Sequence, residues 1–253
     1  MSSLVEPTEE TLAALRGAST ATLQTQLFAR GLRNTFLFGL RPLNAGAARF
    51  AAEAFTLRYI PAREDLDVLE AFRDPRHPQR HAIESVGPGQ VLVMDCRGDA
   101  RAASAGHILT TRLLRRGAAA LVTDGSVRDS PAIRRMEFPV FTSAVSATTN
   151  LVLHHAVDLQ VPIGCAGVAV FPGDILVGDE EGVVVIPRML AAEIAGPAAE
   201  QERLERFILG RVRDGAALPG TYPPDAATLA AFHASRERPA GPGQAGAGGD
   251  RSA

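Results

Sequence analysis

The chain has no lysine; all 26 of its basic residues are arginine. A lysine Schiff base therefore cannot form, which excludes lysine-dependent aldolase and pyridoxal phosphate chemistry. A phosphate-binding P-loop is excluded as well, because it needs its lysine. Carbanion chemistry in such a protein would have to use a metal ion as the electron sink. Cysteine is scarce too. Cys96 and Cys165 are the two, with no CxxC pair and no histidines at zinc-finger spacing. They are expected to be reduced, buried thiols. No apolar run approaches the roughly 20 residues of a membrane span. The net charge of -2 comes with no basic stripe, so neither a nucleic acid nor a membrane is the expected partner. Residues 1–10 are polar and acidic, without the apolar core of a signal peptide, and the expected location is the cytoplasm.

What is present suits a folded enzyme-sized domain. The 253 residues are 46% hydrophobic and 21% charged. That is enough to bury a large core in one domain over residues 1–233. From residue 234 the chain is rich in Pro, Gly, Ala and Arg, which predicts a disordered tail over 234–253.

Patterning predicts helices within residues 1–33, with Thr8 as an N-cap and Gly31 as a stop. A strand is expected over 51–60, where Phe55, Leu57 and Tyr59 alternate, and a short helix over 65–72. Residues 73–81, with two prolines among charged side chains, read as a polar loop, either a lid or disordered. The clearest unit follows: a strand over 90–95, a loop over 96–105, a helix over 106–116 and a strand over 118–123. Ile108, Leu109, Leu113 and Leu114 are read as one side of that helix, and Gly117 ends it. This is a βαβ unit, so its strands should be parallel. A short strand is expected at 138–141, a β-meander over 163–171, 174–177 and 183–186, and an amphipathic helix over 189–213, broken near Gly196-Pro197.

The strand over 118–123 runs into Asp124-Gly125-Ser126-Val127-Arg128-Asp129, read as a tight turn carrying two carboxylates and a guanidinium. At a strand end an arginine can grip a substrate carboxylate in bidentate fashion, and an aspartate beside it can hold a hard divalent cation. The βαβ geometry puts the start of helix 106–116 at the same edge of the sheet. Its free N–H groups at Gly106, His107, Ile108 and Leu109 form an anion site facing Arg128. A structural ion pair closing a turn is the alternative for Arg128 and Asp129. Asp124 reads as a turn residue and Asp174 as the cap of a turn. His154 and His155, in a helical or loop stretch, read as structural. The three acids at 179–181 read as turn chemistry in a solvated hairpin loop.

The order of these pieces resembles the class II aldolases acting on 4-hydroxy-4-methyl-2-oxoglutarate and 4-carboxy-4-hydroxy-2-oxoadipate, a family that also holds the regulator of ribonuclease activity A. The resemblance rests on Gly106 to Leu109, Arg116-Gly117, Asp124 to Asp129, Pro139 to Phe141, Gly167 to Asp174 and Gly178 to Pro187, with a weaker match at Ser19 to Leu23. It implies an α/β fold: a swivelling β/β/α domain with a partly parallel central sheet and a C-terminal helix, assembled as a homotrimer or a hexamer (a dimer of trimers) with sites between subunits. It implies that the backbone of Gly106 to Leu109 binds a pyruvate carboxylate, that Arg128 contacts the pyruvyl oxygens, and that Asp129 ligates Mg²⁺ or Mn²⁺. A glutamate from a neighbouring subunit's C-terminal helix would contribute; Glu202 is the first choice and Glu205 the second. The implied reaction is cleavage of a 4-hydroxy-2-oxo acid to pyruvate, with oxaloacetate decarboxylation as a side activity. Two departures stand out. His107 occupies the position where aldolase members carry an acid, either as a surface residue or as a contact to water or substrate. Gln24 and Gln26 lie where an aspartate is common. Two other functions stay open: a metal-dependent sugar-acid dehydratase, and a non-enzymatic protein-binding regulator of ribonuclease activity.

Overall fold

The computed structural model describes residues 7–237. The chain divides into two compact units, Met1–Ala199 and Glu200–Ala253. The first opens with α1 (Glu9–Gly17), capped by Thr8, and α2 (Thr20–Ala29), capped by Ser19. Then come β1 (Arg41–Pro42), β2 (Phe50–Pro61), α3 (Pro78–Ser85), β3 (Gln90–Asp95), β4 (Ala103–Ala105), α4 (His107–Arg115), β5 (Ala120–Val127), α5 (Ser130–Ile133), β6 (Val140–Val145), β7 (His154–Leu159), β8 (Ile175–Gly178) and β9 (Val183–Ile186). Helix α6 (Ala191–Arg213) runs from the first unit into the second without a break at Pro197, and α7 (Ala226–Glu237) follows.

The fold is mixed α/β around a partly parallel sheet. Its order is β1-β6-β5-β3-β2-β8-β9, with β4 added on β5 and β7 on β2. β2, β3, β5 and β6 are mutually parallel neighbours, and the β8–β9 hairpin joins β2 antiparallel. The βαβ expectation holds, with Val91 to Met94 in register with Ala120 to Thr123. Alternation along the strands fills two cores, one on each face. Leu92, Met94 and Leu121 enter one cluster, while Val91, Val93, Ala120 and Val122 enter the other. In a third cluster Leu15, Leu23 and Leu27 of α1 and α2 cover Ile175, Val177, Val184 and Ile186 of the hairpin.

Several expectations are corrected. The expected loop over 73–81 gives way at Pro78 to helix α3, because Pro78 sits in the first turn, where its missing N–H costs nothing. The segment expected as a helix over 65–72 contains turns and a short 3-10 stretch over Leu69–Arg73. The loop after β3 contains β4, which pairs with the extended end of β5. Asp124-Gly125 is not a turn but a register shift inside β5, between Thr123 and Ser126, after which the strand continues to Val127. Residues 163–171 do not form a strand; a single bridge, Ile163 to Val170, brackets a turn at Ala166-Gly167, where both residues have positive φ. His154 and His155 open a strand, β7, paired with the second half of β2. On α4 the inward face is Thr110 and Leu113 with Leu109, whereas Ile108 is 81% exposed. Residues 234–237 continue α7, and the rest of the expected disordered tail, 238–253, lies outside the described residues. Cys96 and Cys165 are free and buried, as expected, and burial pushes the Cys96 thiol up to about 12. Among the described residues no helix is long and apolar enough to cross a membrane.

Candidate functional site

The functional edge is built where β5 ends. The Arg128 N–H donates to the Ala105 carbonyl at 3.0 Å, which stitches the residue after β5 to the end of β4, just ahead of α4. Asp129 then adopts a left-handed conformation, φ 58° and ψ 29°. Few residues other than glycine populate that region, aspartate among them, and it is held only where surrounding structure demands it. Here it returns the carboxylate to the start of α4, where Oδ2 accepts the His107 N–H at 3.1 Å. The Arg128 Nε lies 3.8 Å from the same oxygen. Both side chains are about half exposed.

Gly106 makes this approach possible. A Cβ at that position would lie 2.7 Å from Asp129 Oδ2 and 3.1 Å from Arg128 Cγ and Nε. Its φ of -131° is open to any residue, so crowding, not backbone freedom, requires glycine there.

Asp124 has a different task. It is 3% exposed and accepts three backbone N–H groups: Cys96 at 2.6 Å, Gly98 at 2.9 Å and Ala166 at 3.1 Å. Burial raises its pKa, and the three donors oppose that rise. It therefore anchors the loops behind the site and does not face a ligand.

A pocket of about 170 Å³ opens at this edge. Gly106, Ile108, Leu109, Arg128 and Asp129 line it, as do Gln79, Arg80, Thr149 and Asn150, which sequence reasoning missed. Gln79 and Arg80 lie on the first turn of α3, in the part of the expected 73–81 loop that is helical. Gln79 tethers that helix to β4 through Nε2 and the Ser104 carbonyl at 2.7 Å. Arg80 stacks over Phe72, its guanidinium carbon 4.3 Å from the ring centroid. Hydrophilic residues at 73–81 gave no signal separating a pocket wall from a solvated loop.

The remaining expected residues are dispersed. The His107 backbone joins the site, but its half-exposed side chain is not among the lining groups. Glu202 and Glu205 lie on α6 in the second unit, in a groove with Ile208, Leu209 and Tyr222. Glu205 accepts from Gln201 at 2.8 Å. His154 is fully buried, with Nε2 against the Ala102 carbonyl at 3.2 Å and Nδ1 facing Arg97 at 3.3 Å. Among the described residues no group of three or more His, Cys, Asp or Glu can hold a metal ion.

Residues 20–185 match the RraA-like family described as Aldolase/RraA. The chain belongs to that family. A 4-hydroxy-4-methyl-2-oxoglutarate aldolase from Thermus thermophilus is 34% identical over 143 residues, covering 56% of this chain and 78% of that one. A Halalkalibacterium halodurans relative, provisionally named for the same aldolase, is 36% identical over 139 residues. That match covers 52% of this chain and 64% of the relative's length. Among solved structures, Streptomyces coelicolor RraAS2, described as an unusual member of the RNase ES inhibitor RraA protein family, has a TM-score of 0.70 and 31% identity. It covers 80% of this chain and 97% of that one. Two of these relatives are thus named for an aldolase, and RraAS2 is described within an RNase ES inhibitor family.

Proposed function

We propose that this protein is a divalent-metal-dependent carbon–carbon lyase that cleaves a 4-hydroxy-2-oxo acid to pyruvate by a retro-aldol reaction, with oxaloacetate decarboxylation as a side activity. The observation that carries this reading is the meeting of Arg128, Asp129 and the N-terminus of α4 in one pocket. Asp129 fits a hard cation. Its Oδ1 takes no hydrogen bond from the described residues, and a lone carboxylate suits Mg²⁺ or Mn²⁺, which keep several waters. When bound, such an ion supplies Lewis-acid stabilisation of the negative charge that develops on the 2-oxo oxygen.

The chain's own groups do the rest. With the His107 N–H occupied by Asp129, the Ile108 and Leu109 N–H groups receive the substrate carboxylate at the positive end of the helix. Arg128 donates to the 2-oxo acid oxygens and holds the charge that forms as the carbon–carbon bond breaks. A neighbouring acid accepts the hydroxyl proton. We assign this to Glu202, or to Glu205, from another copy in a homotrimer or hexamer. The His107 side chain, half-buried at the rim and outside the pocket lining, would contact water rather than the substrate. We place the protein in the cytoplasm.

The test is pyruvate release from oxaloacetate and from 4-hydroxy-4-methyl-2-oxoglutarate with added Mg²⁺ or Mn²⁺. Arg128→Ala should lower turnover by about 10²–10³-fold, the usual cost of losing one donor to developing charge. No turnover with any divalent cation, or full activity in Arg128→Ala, overturns the reading. The relationship to RraAS2 supports a second reading, a protein-binding regulator. Inhibition of a ribonuclease without metal-dependent turnover would favour it.

A further inference from the structure

The pocket contains more binding capacity than a pyruvyl group uses. Two guanidinium groups, Arg80 and Arg128, line it against a single carboxylate, Asp129, which is already engaged by the His107 N–H and lies beside Arg128. Arg80 has neither an acidic partner nor a side-chain hydrogen bond among the described residues; its guanidinium stacks on the Phe72 ring. Half-buried, it is pushed below the usual arginine range by desolvation and by the charge of Arg128, with Tyr59 opposing. Two guanidinium groups facing one cavity that holds one carboxylate leave an excess of positive charge, which a bound anion offsets.

A second observation is independent of charge. Asn150 is 5% exposed, and its Nδ2 is buried without a hydrogen-bond partner among the described residues. Gln79 is 2% exposed, with Nε2 held by Ser104 and Oε1 likewise unpartnered. Both residues line the same pocket. Buried polar atoms normally find partners, and each one left over is a desolvation cost that a ligand can relieve. A donor and an acceptor left over in one cavity, beside an unpaired arginine, are the pattern of a site awaiting a polar ligand.

We infer that the pocket is a two-ended anion site in which Arg80 on α3 is the specificity-determining residue. Arg128 and the start of α4 hold the 2-oxo acid end. Arg80 receives a second anionic group, and Asn150 Nδ2 and Gln79 Oε1 complete the ligand's polar contacts. The assignment rests on the lyase reading only for the chemistry at the first end; the preference for a doubly charged ligand stands on the pocket itself.

Titration calorimetry of the full chain, with and without Mg²⁺, tests this with two probes that share a 2-oxo acid head: 2-oxoglutarate with two carboxylates and 2-oxobutyrate with one. The wild type should bind the diacid at least about tenfold tighter, a modest share of one charge-assisted hydrogen bond. Arg80→Gln should erase that preference while leaving 2-oxobutyrate affinity within about twofold, and Arg80→Lys should retain part of it. Should Arg80→Gln fail to fold, Asn150→Ala gives the same selective loss for the diacid. Equal binding of both probes by the wild type, or parallel weakening of both in Arg80→Gln, overturns the assignment. A diacid preference in a protein that cleaves no 2-oxo acid with any cation would sink the lyase and leave the two-ended site standing. Turnover that is indifferent to Arg80→Gln and to the second carboxylate would do the reverse.

Discussion

Two regions of the first unit carry clustered acids, and the structure treats them in opposite ways. At the β8–β9 hairpin, Asp179, Glu180 and Glu181 follow one another. Asp179 is 4% exposed and accepts the Thr20 N–H at 2.8 Å, the Thr20 hydroxyl at 2.9 Å and the Glu181 N–H at 2.9 Å. Glu180 faces Arg49 at 3.7 Å. This loop is a joint: it fixes the start of α2 on the hairpin. At the end of β5 the polar groups do not balance. Among the described residues, Asp129 keeps an open oxygen, Arg80 has no acid, and Asn150 and Gln79 hold unpartnered atoms in the pocket wall. The hairpin is denser in acids, yet the strand end has the chemistry of a site. Acid density is a poor guide; unsatisfied groups around a cavity are a better one.

Substitutions should separate the two regions sharply. The largest effect is expected at Gly106. An alanine there places a methyl 2.7 Å from Asp129 Oδ2 and forces the carboxylate off the helix start. Pyruvate-releasing turnover should fall by about 10²-fold, as a displacement near 1 Å does at such centres. The thermal midpoint should move little, because Asp129 and Arg128 are half exposed and can shift. Steady-state kinetics beside a melting curve reads both, and unchanged turnover would break the comparison.

Asp179→Ala should do the reverse. It strips a buried acceptor from the Thr20 N–H and hydroxyl, costing about 1–3 kcal/mol of stability. For a unit of this size that is about 2–4 °C per kcal/mol in thermal midpoint. Denaturant unfolding measures it, and turnover in the folded variant should match the wild type.

A smaller effect concerns pH. Burial holds His154 below the usual histidine range, with Arg97 adding to the shift and the Ala102 carbonyl opposing it. Above about pH 6.5, the ordinary histidine value, the ring is neutral in both folded and unfolded chains. Below that, the unfolded chain takes up a proton that the folded chain refuses, so stability falls with pH until the depressed folded-state pKa is reached. The thermal midpoint should drop between pH 7 and pH 5. His154→Asn should drop less, with His77, also held down by burial, accounting for part of the remainder. Equal slopes would remove His154 from the account.

Much of this was legible in the sequence where pattern and structure share one cause. The β3–α4–β5 unit followed from apolar runs of strand length around an amphipathic helix, and Arg128 met the start of α4 because parallel strands put both at one edge. The failures have physical reasons as well. Asp124-Gly125 has turn composition, but β4 and β6 pair with the residues beyond it, and tertiary pairing absorbs the irregularity as a register shift. Residues 73–81 looked like a solvated lid because polar side chains around prolines carry no periodicity. The same polarity lines a pocket when the segment folds as α3. Ile108 groups with Leu109, Leu113 and Leu114 on one side of α4 by spacing, but spacing does not say which part of a wide stripe meets the sheet; Leu113 does, and Ile108 is exposed at the pocket.

The most direct measurement is pyruvate release from oxaloacetate at saturating Mg²⁺ by Asp129→Asn and Asp179→Ala, with the melting curve of each. Asp129→Asn should lose turnover by about 10²-fold or more at an unchanged thermal midpoint, as expected when charge stabilisation is lost. Asp179→Ala should keep its turnover and melt lower. Full turnover in Asp129→Asn, or loss of turnover in folded Asp179→Ala, would contradict the account.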